Sequence, residues 1–462
     1  MVIHSDVPAV GEFECSNDLI NCIHMAIRWG IRMYLRSAPL DPDRTERMPW
    51  LGDPAKDSES QAFNFNVAPF YAKWIDDIRR SQRNTGAIPH VSMFWGPGSN
   101  VLWPSVFTII PDWFVDFYGD SKVETTNYEA MKRWMAAMQK YEVEENGTVK
   151  GGAYGDWCDA LSLETKLAVE GGGNTSRALI STAYHYNNYR IMARVAQRLN
   201  KPEDVKFFTE HADRLRDIFN KTFFDPATNN YLGGTQCANL LPLTFGLVPE
   251  GHKQQVIANL VDDIMVKRNG HLSVGLIGVQ WLMQTLTECG RPDVAWTIAN
   301  QTTRPSWGYM ISKGATTIWE RWDTDTQGPG MNSEALLMQA GNLDAWLYQT
   351  LAGINYDRQQ PGFKHIILRP HPVGDLTWVK AHLDSSYGRI ASHWEQKGKQ
   401  FIWNVTVPAN TTATVYVPAR SAETVTESGK PASKAEGVRF VRMEKDRAVF
   451  EVGSGKYRFE SK

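Results

Sequence analysis

The sequence predicts a mainly α protein: an (α/α)6 barrel followed by a C-terminal antiparallel β-sandwich. Three observations predict this. Apolar residues recur at helical spacing from about residue 17 to 352. After about residue 355 the pattern changes to short alternating runs. The length, 462 residues, suits one large domain with a smaller appendage.

The helices are read from their periodicity. Tyr128, Met131, Trp134, Met135 and Met138 share one helical face, as do Phe208, Ala212, Leu215, Ile218 and Phe219. Leu179, Ala183 and Tyr186 follow the same spacing more loosely. Roughly a dozen such segments are separated by turns rich in Gly, Pro and Asn. No fixed-length repeat relates them, so hairpins closed into a barrel are predicted rather than a solenoid.

The β part reads as HIILRP, FIWNVTV, ATVYVPA, VRFVRM, AVFEV and KYRFE, with turn residues such as Pro408-Ala-Asn and Gly453-Ser-Gly between runs. The boundary falls between Gly353 and Pro361, giving a barrel over 1–355 and a sandwich over 356–462. The sandwich carries no acid/base cluster, and its expected role is to pack against and stabilise the barrel.

A net charge of -2 excludes an electrostatic footprint for nucleic acid or an anionic membrane. No apolar run reaches the roughly 18 residues of a spanning helix, and the start, MVIHSDVPAV, lacks a signal peptide. A soluble chain is expected, cytoplasmic by default, or secreted or periplasmic if the N-terminus is truncated. The five cysteines are scattered without CxxC spacing and read as buried thiols. The eleven histidines show no HExxH-like spacing, so neither a metal nor a cofactor is expected. The Gly171-Gly-Gly run lacks the Lys-Ser/Thr of a phosphate loop and reads as a flexible connection. Seventeen Trp, beside 16 Tyr and 19 Phe, suit a carbohydrate cleft, where aromatic faces stack on the C–H faces of sugars.

Two stretches concentrate charge around Trp. The first, Asp41-Pro-Asp-Arg-Thr-Glu-Arg-Met-Pro-Trp-Leu-Gly-Asp53, is broken by Pro42, Pro49 and Gly52 and so is a loop. The second is Gly314-Ala-Thr-Thr-Ile-Trp-Glu-Arg-Trp-Asp323, in which Glu320 and Arg321 lie between Trp319 and Trp322. Hydrolysis of a glycosidic bond requires one protonated carboxyl to donate to the leaving oxygen and one carboxylate to assist attack. Glu46 and Glu320 can supply that pair, and the residues alone do not order their roles. Asp156 and Asp159 flank Trp157, and with Trp103-Pro-Ser and Pro111-Asp-Trp113 they are further candidates for subsite walls and hydroxyl acceptors.

These residues resemble glycoside hydrolase family 78, the inverting α-L-rhamnosidases. The resemblance rests on DPDRTERMPWLGD, Trp74-Ile-Asp-Asp-Ile with Gln82 and Gly86-Ala-Ile-Pro, Gly155-Asp-Trp, TTIWERWD, Met331-Asn-Ser, WLYQTLAGI and the C-terminal GFKHIILRP…YGRIASHWE. It implies an (α/α)6 catalytic barrel in which Glu46 is the general acid and Glu320 the general base that activates water. It implies a rhamnose subsite formed by Asp41, Arg44, Trp50, Asp53, Trp103, Asp156 and Trp157, with Trp113 the near alternative to Trp103. Trp319 and Trp322 complete the expected substrate-binding set. The carboxyls of an inverting pair stand about 6.5–9.5 Å apart. The implied partner is a rhamnose-containing oligosaccharide or glycoside, with a homodimer as the assembly to look for.

Three features depart from the family pattern. Leu40-Asp41-Pro-Asp-Arg-Thr45 stands where many members have Asp-Cys-Pro-x-Arg-Asp, which moves the first acidic contact to Asp41. Glu334-Ala-Leu-Leu-Met338 stands where the family often has a sugar-contacting His. The β-rich domains that usually precede the barrel are not in the sequence. The first two keep the catalytic pair, and the missing His opens one alternative, another (α/α)6 glycosidase acting on a glucoside or uronic acid. A non-catalytic carbohydrate-binding protein on the same fold is the other alternative, against which both Glu46 and Glu320 are present.

Overall fold

The computed structural model describes residues 4–40, 47–93, 96, 98–152, 154–161, 173–326 and 337–462. Among these the helices are α1 (Asp18–Tyr34), α2 (Pro54–Asn64), α3 (Ala68–Ser81), α4 (Val106–Tyr118), α5 (Lys122–Tyr141), α6 (Arg177–Arg198), α7 (Pro202–Phe223), α8 (Gln236–Phe245), α9 (Lys253–Asp262), α10 (Leu276–Glu288), α11 (Pro292–Ala299), α12 (Trp307–Ser312) and α13 (Leu343–Trp346). Two of them run on as π turns, α9 into Asp263–Lys267 and α13 into Leu347–Leu351. Helices α2, α4, α6, α8, α10 and α13 pack each on the next, and α13 closes on α2. They form the inner ring of the barrel, and the helices between them in sequence form its outer layer.

What each ring buries explains its sequence. Outer α5 buries Tyr128, Met131, Trp134, Met135 and Met138 and exposes Lys122, Glu129, Arg133 and Lys140. Inner α4 is buried from Val106 to Phe117, having neighbours on every side. Helix starts carry their own signals: the Asn17, Ser176 and Thr235 side chains cap α1, α6 and α8. Pro54, Pro202 and Pro292 open α2, α7 and α11.

The two ends of the inner ring differ in chemistry. Its later halves line a cavity of about 550 Å³ that includes Asp112, Arg190, Arg194, Glu288 and Arg358. Arginines at helix C-terminal ends complement the dipole there, and Arg194 and Arg198 both pair with Asp112. The opposite end, where α2, α8 and α10 begin, carries Asp53 and Asp156.

The strands are β1 (Gly11–Cys15), a small hairpin of β2 (Phe224–Asp225) and β3 (Asn230–Tyr231), then β4 (Ile354–Tyr356), β5 (His365–Leu368), β6 (Trp378–Ser385), β7 (Gly388–Lys397), β8 (Gln400–Val407), β9 (Thr412–Pro418), β10 (Thr426–Glu427), β11 (Lys430–Pro431), β12 (Val438–Glu444), β13 (Arg447–Val452) and β14 (Gly455–Ser461). One sheet has the order β1-β6-β7-β8-β14-β10-β11 and the other β12-β13-β9-β5-β4. The pairings are antiparallel except β5 with β9, which run parallel. The sequence reading did not expect β1. It precedes the first barrel helix, yet it pairs with β6 from Gly11↔Leu383 to Cys15↔Val379 and forms an edge of the sandwich.

Indoles fix the junction. Trp394 donates from Nε1 to the Leu351 carbonyl at 2.7 Å, Trp403 donates to Ser392 Oγ at 2.9 Å, and Ser392 Oγ donates to the Ala352 carbonyl at 2.6 Å. Much of the Trp surplus is therefore structural: Trp74, Trp134, Trp307, Trp322, Trp346, Trp394 and Trp403 are among the largest fully buried side chains. No helix among the described residues is long and apolar enough to cross a membrane.

Trp394→Phe leaves the Leu351 carbonyl without its indole donor and removes ring volume. A loss of about 2–3 kcal/mol is expected from the unmet buried acceptor and the void together, read as a lower Tm with the fold retained by circular dichroism.

Candidate active site

The loop containing Trp50 is docked by backbone bonds to the segment around His90. Leu51 N–H donates to the His90 carbonyl at 2.9 Å, Ser92 N–H donates to the Pro49 carbonyl at 3.0 Å, and Trp50 bridges Val91. The docking carries Trp50, Gly52 and Asp53 to the mouth where α2 begins. Asp53 stands immediately before Pro54 as the N-cap residue of α2.

Tyr154 joins the aromatic residues there. Its ring stacks on Trp103 at 4.4 Å between centroids and meets Trp50 at 6.0 Å and Trp157 at 5.6 Å edge-on. Its hydroxyl is hydrogen-bonded to His90 Nδ1 at 2.9 Å. Trp103 lies flat against Gly52, where a Cβ would fall inside its indole. Trp103 is thus buried, whereas Trp50 and Trp157 are half-buried and keep ring surface toward the mouth. Trp113, the alternative to Trp103, lies in the core against Tyr71, Phe114 and Phe117.

Asp156 is 1% exposed and caps α10. Its Oδ2 accepts from Gly275 N–H at 3.0 Å, and its Oδ1 accepts from Ile277 N–H at 3.0 Å and Gly278 N–H at 2.9 Å. Leu276 N–H donates to the Trp157 carbonyl at 2.9 Å. The loop lies so close to the helix start that a Cβ at Gly275 would strike the Trp157 and Asp156 carbonyl oxygens, which is why this position is glycine. Burial pushes the Asp156 carboxyl up to about 7, aided by the charge of Asp159 and opposed by the Gly275 and Gly278 donors. Lys56, also 1% exposed, is pulled down by burial to about 7 against the charges of Asp53 and Asp156.

Glu320 is 1% exposed, on the stretch between α12 and the turn Thr324–Thr326. Gln339 anchors it: Nε2 donates to the Glu320 carbonyl at 2.9 Å and to the Cys158 carbonyl at 3.4 Å. Its backbone N–H donates to the Trp319 carbonyl, and its carbonyl accepts from Trp307 Nε1 at 2.8 Å. Trp322 donates to the Val274 carbonyl at 3.1 Å and packs on Trp307, and Trp319 is buried edge-on to Tyr309. Both indoles hold the backbone on either side of Glu320. Arg321 pairs with Asp323 at 3.0 Å.

The fold therefore gathers Trp50, Asp53, Trp103, Asp156, Trp157, Trp319, Glu320 and Trp322 around one end of the inner ring. Asp41, Arg44 and Glu46 lie outside the described residues, as do Met331-Asn-Ser and Glu334. Tyr154, Gln339, His90 and Lys56 were not singled out from sequence. Each is a lone polar or aromatic residue without a motif, and Lys56, three positions after Asp53, carried the one local signal. No group of three or more His, Cys, Asp or Glu among the described residues could hold a metal ion.

Residues 8–351 match the model of the bacterial α-L-rhamnosidase six-hairpin glycosidase domain. The chain belongs to this family. The match bears out the resemblance drawn from DPDRTERMPWLGD and TTIWERWD, and residues 353–432 match the bacterial α-L-rhamnosidase C-terminal domain. An α-L-rhamnosidase of Streptomyces avermitilis is 33% identical over 99% of the chain and 42% of its own length. One from Formosa agariphila is 31% identical over 100% of the chain and 50% of its own. The solved α-L-rhamnosidase of Dictyoglumus thermophilum superposes with a TM-score of 0.91 at 36% identity, covering 99% of this chain and 51% of that one. The Streptomyces avermitilis enzyme complexed with L-rhamnose superposes with a TM-score of 0.89 at 32% identity, covering 99% and 43%. The chain spans about half the length of the curated relatives it matches.

His90 ties the aromatic cluster to stability below neutrality. Burial lowers it from 6.5 to about 4, with Arg83 adding to the shift. As pH falls from about 6.5 to 4 the unfolded chain takes up a proton that the folded chain refuses, so stability falls across that window. Urea titrations at several pH values should show this slope in the wild type, and His90→Gln should flatten it.

Proposed function

We propose that the chain forms the catalytic part of an inverting, exo-acting α-L-rhamnosidase that releases terminal α-L-rhamnose from glycosides or polysaccharide fragments. The observation that carries the reading is Glu320. It is buried at the same mouth as half-buried Trp50, Asp53 and Trp157, and Gln339 ties its backbone to the loop that bears Trp157. A buried carboxylate beside half-exposed aromatic rings is the kind of group that acid/base chemistry uses. Membership of the family and the likeness to an enzyme solved with L-rhamnose support the choice of sugar.

In this reading Glu46 protonates the leaving oxygen while Glu320 takes a proton from water on the opposite face of the ring. The gap between the carboxyls, about 6.5–9.5 Å in inverting enzymes, admits that water. Glu46 stands four residues before Trp50 in the sequence, in the same charged motif. Asp41, Arg44 and Asp53 take the sugar hydroxyls, and Trp50 and Trp157 cover its apolar face. Trp103, Trp319 and Trp322 stand behind these groups, and Asp156 holds the loop that bears Trp157.

Glu46→Gln and Glu320→Gln should each lower kcat on an aryl α-L-rhamnoside by a factor on the order of 100 or more, with little change in L-rhamnose binding by calorimetry, because each removes proton transfer in the transition state. Turnover near the wild-type rate in either variant contradicts its role. Hydrolysis of the matching α-glucoside or uronide, with none of the α-L-rhamnoside, contradicts the choice of sugar.

A further inference from the structure

A cavity of about 750 Å³ lies where the barrel meets the sandwich. The barrel lines it with Lys253 at the start of α9 and Glu288 at the end of α10. The sandwich lines it with Arg369 and His371 from the chain after β5, Lys445 and Asp446 from the turn between β12 and β13, and Arg447 at the start of β13. Four cationic side chains, Lys253, Arg369, Lys445 and Arg447, thus line it beside two carboxylates, Glu288 and Asp446. Burial, with the charges of Arg447 and Arg369 added, lowers His371 to about 3, so its imidazole is neutral here.

Arg447 is 8% exposed, and an arginine so buried is ordinarily paired. It forms no ion pair among the described residues. Its Nη1 donates to the Pro370 carbonyl at 2.7 Å and to the Tyr416 carbonyl at 3.5 Å, while Nε and Nη2 make no hydrogen bond among the described residues. Those two nitrogens form the side-on edge of the guanidinium, which grips a carboxylate, sulfate or phosphate by two parallel bonds. Elsewhere in the chain the same edge is filled. Arg389 Nε and Nη2 donate to Asp384 at 2.8 and 2.9 Å, and those of Arg291 donate to Asp293 at 2.9 and 2.7 Å. Arg447, more buried than either, lacks such a partner, although an unmatched charge costs more in the interior. Tyr416 brings a second guanidinium to the same place: Arg369 lies over its ring, 4.9 Å from the centre, and pairs with Glu444 at 3.4 Å. Arg369 Nε and His371 Nδ1 are buried without a hydrogen-bond partner among the described residues.

We propose that this junction cavity is a binding site for an oxyanion, a carboxylate, sulfate or phosphate group, gripped by the Nε and Nη2 edge of Arg447 with Arg369 beside it. The site is separate from the mouth that holds Glu320 and does not depend on the glycosidase reading. Its size bears on what carries the anion. Sites for whole small molecules measure about 300–1,000 Å³, so the cavity has room for a saccharide ring bearing the anionic group as well as for a free anion. Lys253 supplies positive charge from the barrel wall, so a ligand held here touches both domains and stabilises the folded chain.

The test titrates the whole chain by calorimetry with sodium sulfate, sodium phosphate and sodium D-glucuronate, each against sodium chloride of matched ionic strength, with D-glucose as the neutral sugar. Wild type should bind an oxyanion above the chloride background, and its Tm should rise with the concentration of that anion. Arg447→Gln keeps a donor for the Pro370 carbonyl but loses the charged fork, and it should weaken the binding by roughly 10- to 100-fold, the scale of a lost charge-assisted pair. Sulfate or phosphate bound as tightly as glucuronate assigns the site to a free anion, and glucuronate bound more tightly than both assigns it to an acidic saccharide. No oxyanion bound above chloride overturns the proposal, as does glucose bound as tightly as glucuronate or an unchanged affinity in Arg447→Gln. If that variant does not fold, exposed Lys253 decides: Lys253→Gln should weaken binding by about threefold, the scale of one surface charge, and an unchanged affinity there overturns the proposal.

Discussion

The start of α10 is the constraint on which the front of the barrel depends. Asp156 accepts three backbone N–H groups there, and Gly275 lets the loop approach closely enough for the bonds to form. The same loop presents Tyr154, against which Trp50, Trp103 and Trp157 are arranged, and Cys158, whose carbonyl shares Gln339 with Glu320. One capped helix terminus therefore sets the relative positions of the aromatic walls and the buried glutamate.

The ring gives this arrangement its setting. Helix N-termini favour negative charge and C-termini positive charge. Asp53 and Asp156 stand where α2 and α10 begin, while at the other end Arg190, Arg194 and Arg358 line a cavity together with Glu59, Asp112 and Glu288. A glycosidase that works through two carboxyl groups suits the end where the backbone already stabilises anions. The sandwich is joined to the barrel: β1 ties the segment ahead of α1 to β6, and Trp394 and Ser392 bond to the chain that follows the last inner helix.

Much of this was legible in the sequence because outer helices and half-exposed strands keep one wet face. Tyr128, Met131, Trp134, Met135 and Met138 predict the buried side of α5, and all are buried. Inner helices have no wet face, so α4 reads as an apolar run, and Leu179, Ala183 and Tyr186 on α6 follow helical spacing only loosely. The alternation of Gly11-Glu-Phe-Glu-Cys15 carries the signal for β1, yet its partner β6 lies more than 350 residues later, and no local pattern reveals such a pairing. Within the site, motif residues were found by the chemistry they share with a family. Tyr154, Gln339 and Lys56 were not, because their importance lies in contacts between distant segments. The abundance of Trp pointed to sugar binding, but many of the indoles proved to be core and junction.

The central claim is that Glu46 and Glu320 act across a water molecule on opposite faces of the sugar. Proton NMR of the first anomer released from an aryl α-L-rhamnoside tests it most directly. The two-carboxyl water mechanism predicts initial appearance of the β-anomer of L-rhamnose, followed by slow mutarotation. Initial appearance of the α-anomer would contradict it, because retention requires a covalent intermediate in place of direct attack by water.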